Sequence, residues 1–360
     1  MSGTPTALPD RPRMRHLDPR PAHPRKVRRV VPGVVLSMVA ALVAFGVGRF
    51  LPGVSPLIIA IVLGALSANI VALPATLTPG LNLSSKKLLR AGIVLLGLQV
   101  SLADIRSLGA PLLLVVVTIV AGGVLGTVAL GRLLRVRSQL TLLVACGFSI
   151  CGAAAVAGAA GVTDPDDEAE EDTITAVALV VIFGTLMIPL VPALAHLLAL
   201  DTVTAGMWAG GSIHEIAQVV AVGGVLGSAG LTAAVLVKLT RVLMLAPVMA
   251  ALSLRERRRE RAGGATDRVG GNRRQPPIVP LFVVGFLGMV LVRSFVAVPA
   301  GFLGAGQALQ TLLLAAAMFG LGCGVQVTSL VRVGFRPFAL AGLSTALVAV
   351  LALAGVLLVA

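Results

Sequence analysis

Eleven apolar stretches, separated by short polar ones, divide the chain after residue 29. About twenty residues cross a bilayer as a helix. On that measure the pattern predicts transmembrane helices near 30–51, 56–73, 87–101, 108–130, 139–160, 173–199, 203–225, 229–253, 277–299, 306–327 and 335–359. The fold class is therefore an all-α membrane protein of about 11 transmembrane helices. Residues 1–29 hold eight Arg or Lys and six Pro, a composition that predicts a disordered basic tail. The first apolar run lacks a cleavage site, and Arg28-Arg29 opens no twin-arginine consensus, so the run is expected to stay as an anchor. Residues 30–360 then form one membrane domain, with a basic loop at 254–276.

Composition excludes a soluble globule: 57% of residues are hydrophobic, 12% are charged, and mean hydropathy is +1.00. The 41 glycines suit closely packed membrane helices. Aromatic residues are scarce, with no Tyr and only Trp208, so the usual interfacial belt is nearly absent.

The net charge of +14 does not point to nucleic acid, because its location marks topology. Of 29 Arg and Lys, 24 fall in alternate loops that share one side, three lie on the other side, and Lys238 and Arg241 lie inside a span. This places the N-terminus and the 254–276 loop in the cytoplasm and the C-terminus outside. The acidic stretch 164–172 is expected outside, as a solvated turn. Cys146, Cys151 and Cys323 fall in apolar segments and suggest no disulfide framework.

Candidate chemistry lies in the polar residues within the spans, since an ionisable group at mid-membrane costs roughly 3 kcal/mol even on insertion scales. His214, Glu215, Lys238 and Arg241 are four such groups. In Trp208-Ala-Gly-Gly-Ser-Ile-His-Glu-Ile-Ala-Gln218, the pair Gly210-Gly211 precedes Ser212-x-x-Glu215, the spelling of a capping box. It predicts a helix that breaks and restarts at Ser212, with unpaired N–H groups suited to an anion. His214 and Gln218 would share one face, with Glu215 turned toward the next helix. Lys238 and Arg241, three residues apart on that next helix, are the expected ion-pair partners of Glu215. Cys146-Gly-Phe-Ser-Ile-Cys-Gly152, followed by the small residues 153–160, is a second candidate break. Gln99 and Gln326 recur in a Gly-x-Gln-Val pattern and are expected as interfacial caps.

An enzyme is not expected. His214-Glu-Ile-Ala-Gln218 lacks the second His of a zinc protease motif, and no phosphate-binding loop or cofactor motif is present. Neither catalytic residues, nor metal, nor cofactor are assigned.

Four segments resemble the YeiH-type sulfate exporter family: residues 149–156, 181–185, 212–220 and 238–247. The resemblance runs from the first helix to about residue 350. It implies an inverted-repeat secondary-transporter fold with broken helices, and a function in exporting sulfate or a related sulfur oxyanion or sulfonate across the inner membrane. Pairing the fifth span with the tenth would supply such a repeat.

The combined expectation assigns substrate binding to Ser149, Cys151, Gly152, Ser212, His214, Lys238 and Arg241, and proton coupling to His214, Glu215 and Gln218. Expected partners are a small anion and membrane lipid, with no nucleic acid; a homo-oligomer is compatible. The alternatives are a cation/proton antiporter using Glu215, or an intramembrane enzyme or structural protein.

Overall fold

The computed structural model describes residues 24–50, 55–71, 73–164, 169–262, 281–324 and 334–359. Among these, all regular structure is helical. The elements run α1 (Pro24–Phe50), α2 (Pro56–Ile70), α3 (Thr78–Leu83), a π-helical turn (Ser84–Leu88), α4 (Leu89–Leu96) and a 3-10 turn (Gly97–Gln99). There follow α5 (Leu102–Ser107), α6 (Gly109–Leu133), α7 (Ser138–Ser149), α8 (Ala153–Thr163), α9 (Glu170–Leu197), α10 (Thr202–Ser212) and α11 (Ile216–Leu226). The chain ends in α12 (Ser228–Leu243), α13 (Leu245–Ala262), α14 (Leu281–Phe295), α15 (Ala300–Gly324) and α16 (Phe335–Leu357).

Each of the eleven predicted segments coincides with one helix or a run of consecutive helices, and six of these are long and apolar enough to cross a membrane. α1 begins at Pro24, inside the expected tail, and α13 carries the chain nine residues into the expected basic loop. Residues 1–23, 263–280 and Gln326 lie outside the described residues.

Local signals set the helix starts. Ser55 caps α2, with Pro56 in the first turn where its missing N–H is not needed. Asp201 caps α10 by accepting the N–H groups of Val203 and Thr204 at 2.9 and 3.1 Å. These bonds, led by those of Thr204, hold the Asp201 carboxyl below its ordinary range. A depressed carboxylate stabilises above its unfolded pKa, so this cap persists at neutral pH and is lost only as acid carries the pH through its lowered value.

Two of the predicted spans double back. Gln139, in the first turn of α7, donates to the Thr163 hydroxyl at the end of α8 at 2.8 Å, so both ends of the α7–α8 segment meet. Ser138, Gln139 and Thr163 together line a cavity of about 150 Å³. Arms of 12 and 11 residues extend roughly 17 Å, about half the hydrocarbon thickness. α10 and α11 repeat the arrangement. At the start of α12, Gly230 lies against both Thr202 and Leu226, the two ends of that segment.

Between the hairpins, α9 has 28 residues, about 42 Å, and connects one base to the other. The hairpins therefore enter from opposite ends of the bundle, with their tips meeting between. Protein encases the first so fully that every residue from Leu140 to Ser149 is buried. On α6 and α16, Leu114, Leu125 and Val350 are outward-facing and exposed, as lipid-facing positions are. α10 can lie against α12 because Gly206 and Gly210 have no side chains: a Cβ on Gly210 would fall 2.2 Å from the Ala234 carbonyl oxygen.

The doubling corrects the expected side of the acidic stretch. Asp172 pairs with Arg137 at 2.6 Å, and Glu171 lines a cavity with Arg135, Arg137 and Arg336. Glu171 and Asp172 thus sit at the basic end of the bundle, and the turn near residue 200 sits at the other. Counting charges could not detect this, because neither connection contains Arg or Lys and two successive hairpins restore the alternation. Single cysteines at Ala169→Cys and Ala199→Cys, with the three native cysteines replaced, are therefore expected to react with an impermeant maleimide from opposite sides of the membrane. Labelling of both from the same side would disprove the doubled topology.

Candidate functional site

The two hairpin tips, Ile150–Gly152 and Ile213–Glu215, are the irregular links inside the hairpins, and both are buried. Each tip brings a helix C-terminus and a helix N-terminus together. The last carbonyls of α7 and α10 lack helical partners there, and without water they need donors.

Those donors are Lys238 and Arg241, one turn apart on α12 and both fully buried. Arg241 Nε donates to Ser149 O at 3.2 Å and Nη2 to Phe148 O at 3.0 Å, both on the first hairpin. Its Nη1 donates to Gly210, Gly211 and Ile213 carbonyls on the second, at 3.1, 2.7 and 3.1 Å. Lys238 Nζ donates to Ile150 O at 3.0 Å, to Ile213 O at 2.9 Å and to His214 O. The pair forms a cationic rivet through both tips, with the charges set against the negative ends of two helix dipoles.

This corrects the expected pairing with Glu215: among the described residues no ion pair joins Glu215 to either cation. Backbone carbonyls claim the cations because half-helix ends present several acceptors within reach of one guanidinium.

Glu215 turns the other way. Its Oε1 accepts the Ala153 N–H, at the N-terminus of α8 in the first hairpin, at 3.3 Å. It is also the N-cap of α11, where the Gln218 side chain accepts the Glu215 N–H at 3.2 Å in a capping box. One carboxylate thus lies at two positive helix ends. Gly152 makes the approach possible: its φ is +79°, and a Cβ there would stand 2.5 Å from Glu215 Cγ.

His214 lies in the extended link, packed on the Phe148 ring with centroids 4.3 Å apart. Nδ1 donates to Phe148 O at 3.3 Å, and Nε2 is 3.0 Å from the Thr345 hydroxyl on α16. That hydroxyl is also 2.9 Å from Ala341 O. In a neutral ring Nε2 accepts from Thr345; in a protonated ring Nε2 donates, and Thr345 turns its proton to Ala341. The site can hold either state without losing a bond.

The sequence-derived set is brought together with its parts rearranged. The break comes three residues later than expected. Ser212 is the last residue of α10, its hydroxyl donating to Trp208 O at 2.7 Å, while Gly210 and Gly211 stay helical to pack closely. His214 is outside the helix, so it shares no helical face with Gln218. The ends at Ser149 and Ser212 present carbonyls; the N–H donors lie at Ala153 and in the first turn of α11. Cys151 is buried within the first tip. The Ser149 hydroxyl and Gln218 Nε2 are buried and make no hydrogen bond.

Sequence reasoning missed Phe148, Ala153 and Thr345. Ala153 acts through its backbone N–H and Phe148 through its carbonyl as well as its ring, and no side-chain pattern marks a backbone group. Thr345 is one of two adjacent buried hydroxyls on α16, and nothing in the pattern separates it from Ser344. Gln99 bonds to Gln310 of α15.

Two basic side chains, Lys238 and Arg241, are buried at the tips with one carboxyl, Glu215. Two negative and two positive helix ends offset one another there, so the side chains set the balance of charge.

No solved structure matches the chain. It is 57% identical over 332 residues to a UPF0324 membrane protein of Corynebacterium glutamicum, covering 92% of this chain and 93% of the relative. A UPF0324 membrane protein of Pseudomonas aeruginosa is 37% identical, covering 88% and 91% of the two chains, and one of Bacteroides thetaiotaomicron is 36% identical, covering 86% and 92%. The family model described as conserved hypothetical protein 698 matches residues 32–341, most of the helical bundle built around the two hairpins, and the chain belongs to that family of membrane proteins.

Proposed function

We propose that this protein is a secondary transporter that moves a small oxyanion, such as sulfate, sulfite or a sulfonate, outward across the cytoplasmic membrane. The observation that carries the reading is the meeting of two oppositely rooted hairpin tips at a buried locus that holds two basic side chains and one carboxyl. Interrupted helices meeting near the midplane are a recurrent way for transporters to form sites. Each hairpin is rooted at a different end, so withdrawing one opens a path to its own side while the other stays closed.

The excess of basic over acidic side chains favours an anion over a cation, and the first turns of α8 and α11 supply backbone donors. The chemistry is binding and release, with no catalytic step and no cofactor. The basic end faces the cytoplasm, where polybasic segments meet anionic lipid. The outward direction and the sulfur oxyanion follow the resemblance to the YeiH-type exporters.

The test is labelled sulfate flux in proteoliposomes under an imposed pH gradient, with sulfite and taurine as competitors. Protein-dependent flux that responds to the gradient and to the competitors is expected. Proton movement driven by sodium or potassium, without sulfate flux, would instead favour a cation/proton antiporter using Glu215. No flux of any of these from correctly inserted protein rejects the oxyanion reading.

A further inference from the structure

Resting on the transporter reading above, we propose that the Glu215 carboxylate is a tethered anion occupying the place of the transported one. A divalent oxyanion enters as Glu215 takes up a proton and withdraws.

The geometry of Glu215 sets it apart from an ordinary buried carboxylate, which is paired with a cation. Two cations are close by, but carbonyls occupy them both, and no ion pair within 4 Å reaches Glu215 among the described residues. What the carboxylate does contact is the Ala153 N–H at the start of α8, while its own backbone begins α11. Both helices have 11 residues, long enough to present a positive end. A carboxylate at two such ends is what a bound oxyanion looks like from the protein's side.

A second observation points the same way. Gln218 Nε2 is fully buried one turn from Glu215 and has no acceptor, although the same side chain uses its oxygen on the Glu215 N–H. In a buried site an amide donor without an acceptor is costly. An oxyanion larger than a carboxylate, lying over the first turn of α11, supplies its missing acceptor.

Charge fixes the stoichiometry. With Lys238 and Arg241 both charged and His214 neutral, the tips carry +1 when Glu215 is ionised and +2 when it is protonated, which matches a divalent anion such as sulfate. One proton from the entry side therefore accompanies each divalent anion, and it leaves on the other side when the carboxylate returns to Ala153. The titratable groups near Glu215 are Lys238 from α12, Cys151 from the opposite tip and its chain neighbour His214, with Arg241 reaching Cys151; α9 presents Val180 beside Gly152. Carbonyls satisfy both cations in this structure, so the proposal assigns the proton to Glu215, and a slope retained by Glu215→Gln would assign it to His214 instead.

The test is equilibrium binding of labelled sulfate to the purified full-length protein between pH 5 and 8, comparing wild type, Glu215→Gln and Glu215→Asp. Thermal midpoints serve as the folding control. Wild-type affinity is expected to rise about tenfold per pH unit of acidification across the titration, the slope of one linked proton. Glu215→Gln is expected to bind at pH 8 as tightly as wild type does at pH 5, with a flat profile, while Glu215→Asp keeps the slope. If Glu215→Gln is folded but binds no better than wild type at pH 8, or retains the slope, the tethered-anion proposal is wrong while the transporter reading stands. If Glu215→Gln does not fold, loss of the slope in Glu215→Asp overturns the proposal and its persistence supports it. Absence of sulfate binding by wild type at every pH, together with absence of flux, overturns both.

Discussion

Arg241→Ala is expected to cost the protein its folded state, so that any loss of transport is secondary. Five hydrogen bonds from one guanidinium hold carbonyls on both hairpins. A buried acceptor stripped of its partner costs about 1–3 kcal/mol. Several such losses at once rival the roughly 5–15 kcal/mol that holds a typical domain together. A buried ion pair can often be replaced whole by apolar residues with little penalty. That escape is closed here, because the acceptors belong to the backbone and no second substitution removes them. Size-exclusion chromatography in mild detergent, followed by a thermal scan, is expected to show aggregation or no cooperative transition. Arg241→Lys keeps the charge but has three donors and no planar fork, so it should give folded protein with a clearly lowered midpoint. A monodisperse Arg241→Ala protein, melting within a few degrees of wild type, would show that the rivet is dispensable.

Gly152→Ala is expected to act in two separable ways. The backbone at φ +79° and ψ −136°, a mirror-β conformation kept essentially to glycine, costs a residue with a Cβ about 1–3 kcal/mol, independent of its neighbours. The new methyl would also meet Glu215 Cγ at 2.5 Å and Val180 at 3.2 Å, forcing the carboxylate away from Ala153. A double-mutant cycle with Glu215→Ala separates the two effects. Removing Glu215 should relieve the clash but leave the backbone strain, so the pair should be less destabilised than the sum, by about 1–2 kcal/mol of coupling. The thermal midpoint of each protein gives that number. Sulfate flux should fall at least tenfold in Gly152→Ala, since about 1.4 kcal/mol at the site is a factor of ten. Simple additivity would mean that Glu215 does not depend on the bare backbone at Gly152.

Sequence by itself determined the class of solvent, the positions of the helical segments and the ionisable residues of the site. Those follow from composition and from the cost of placing His214, Glu215, Lys238 and Arg241 in an apolar run. It also marked the two breaks, within a few residues, through their Gly and Ser. What only the tertiary structure decided is direction and partnership. Two apolar arms of 11 or 12 residues sum to the length of one span, so hydropathy cannot tell a crossing helix from a hairpin. Charges in the loops could not correct this, because the two displaced connections carry no Arg or Lys. Glu215 finds its partner 62 residues away at Ala153, and Arg241 finds carbonyls about 30 and 92 residues away. Those partners are backbone atoms, identical in every residue, and only the folded chain distinguishes the ones that a helix end leaves free.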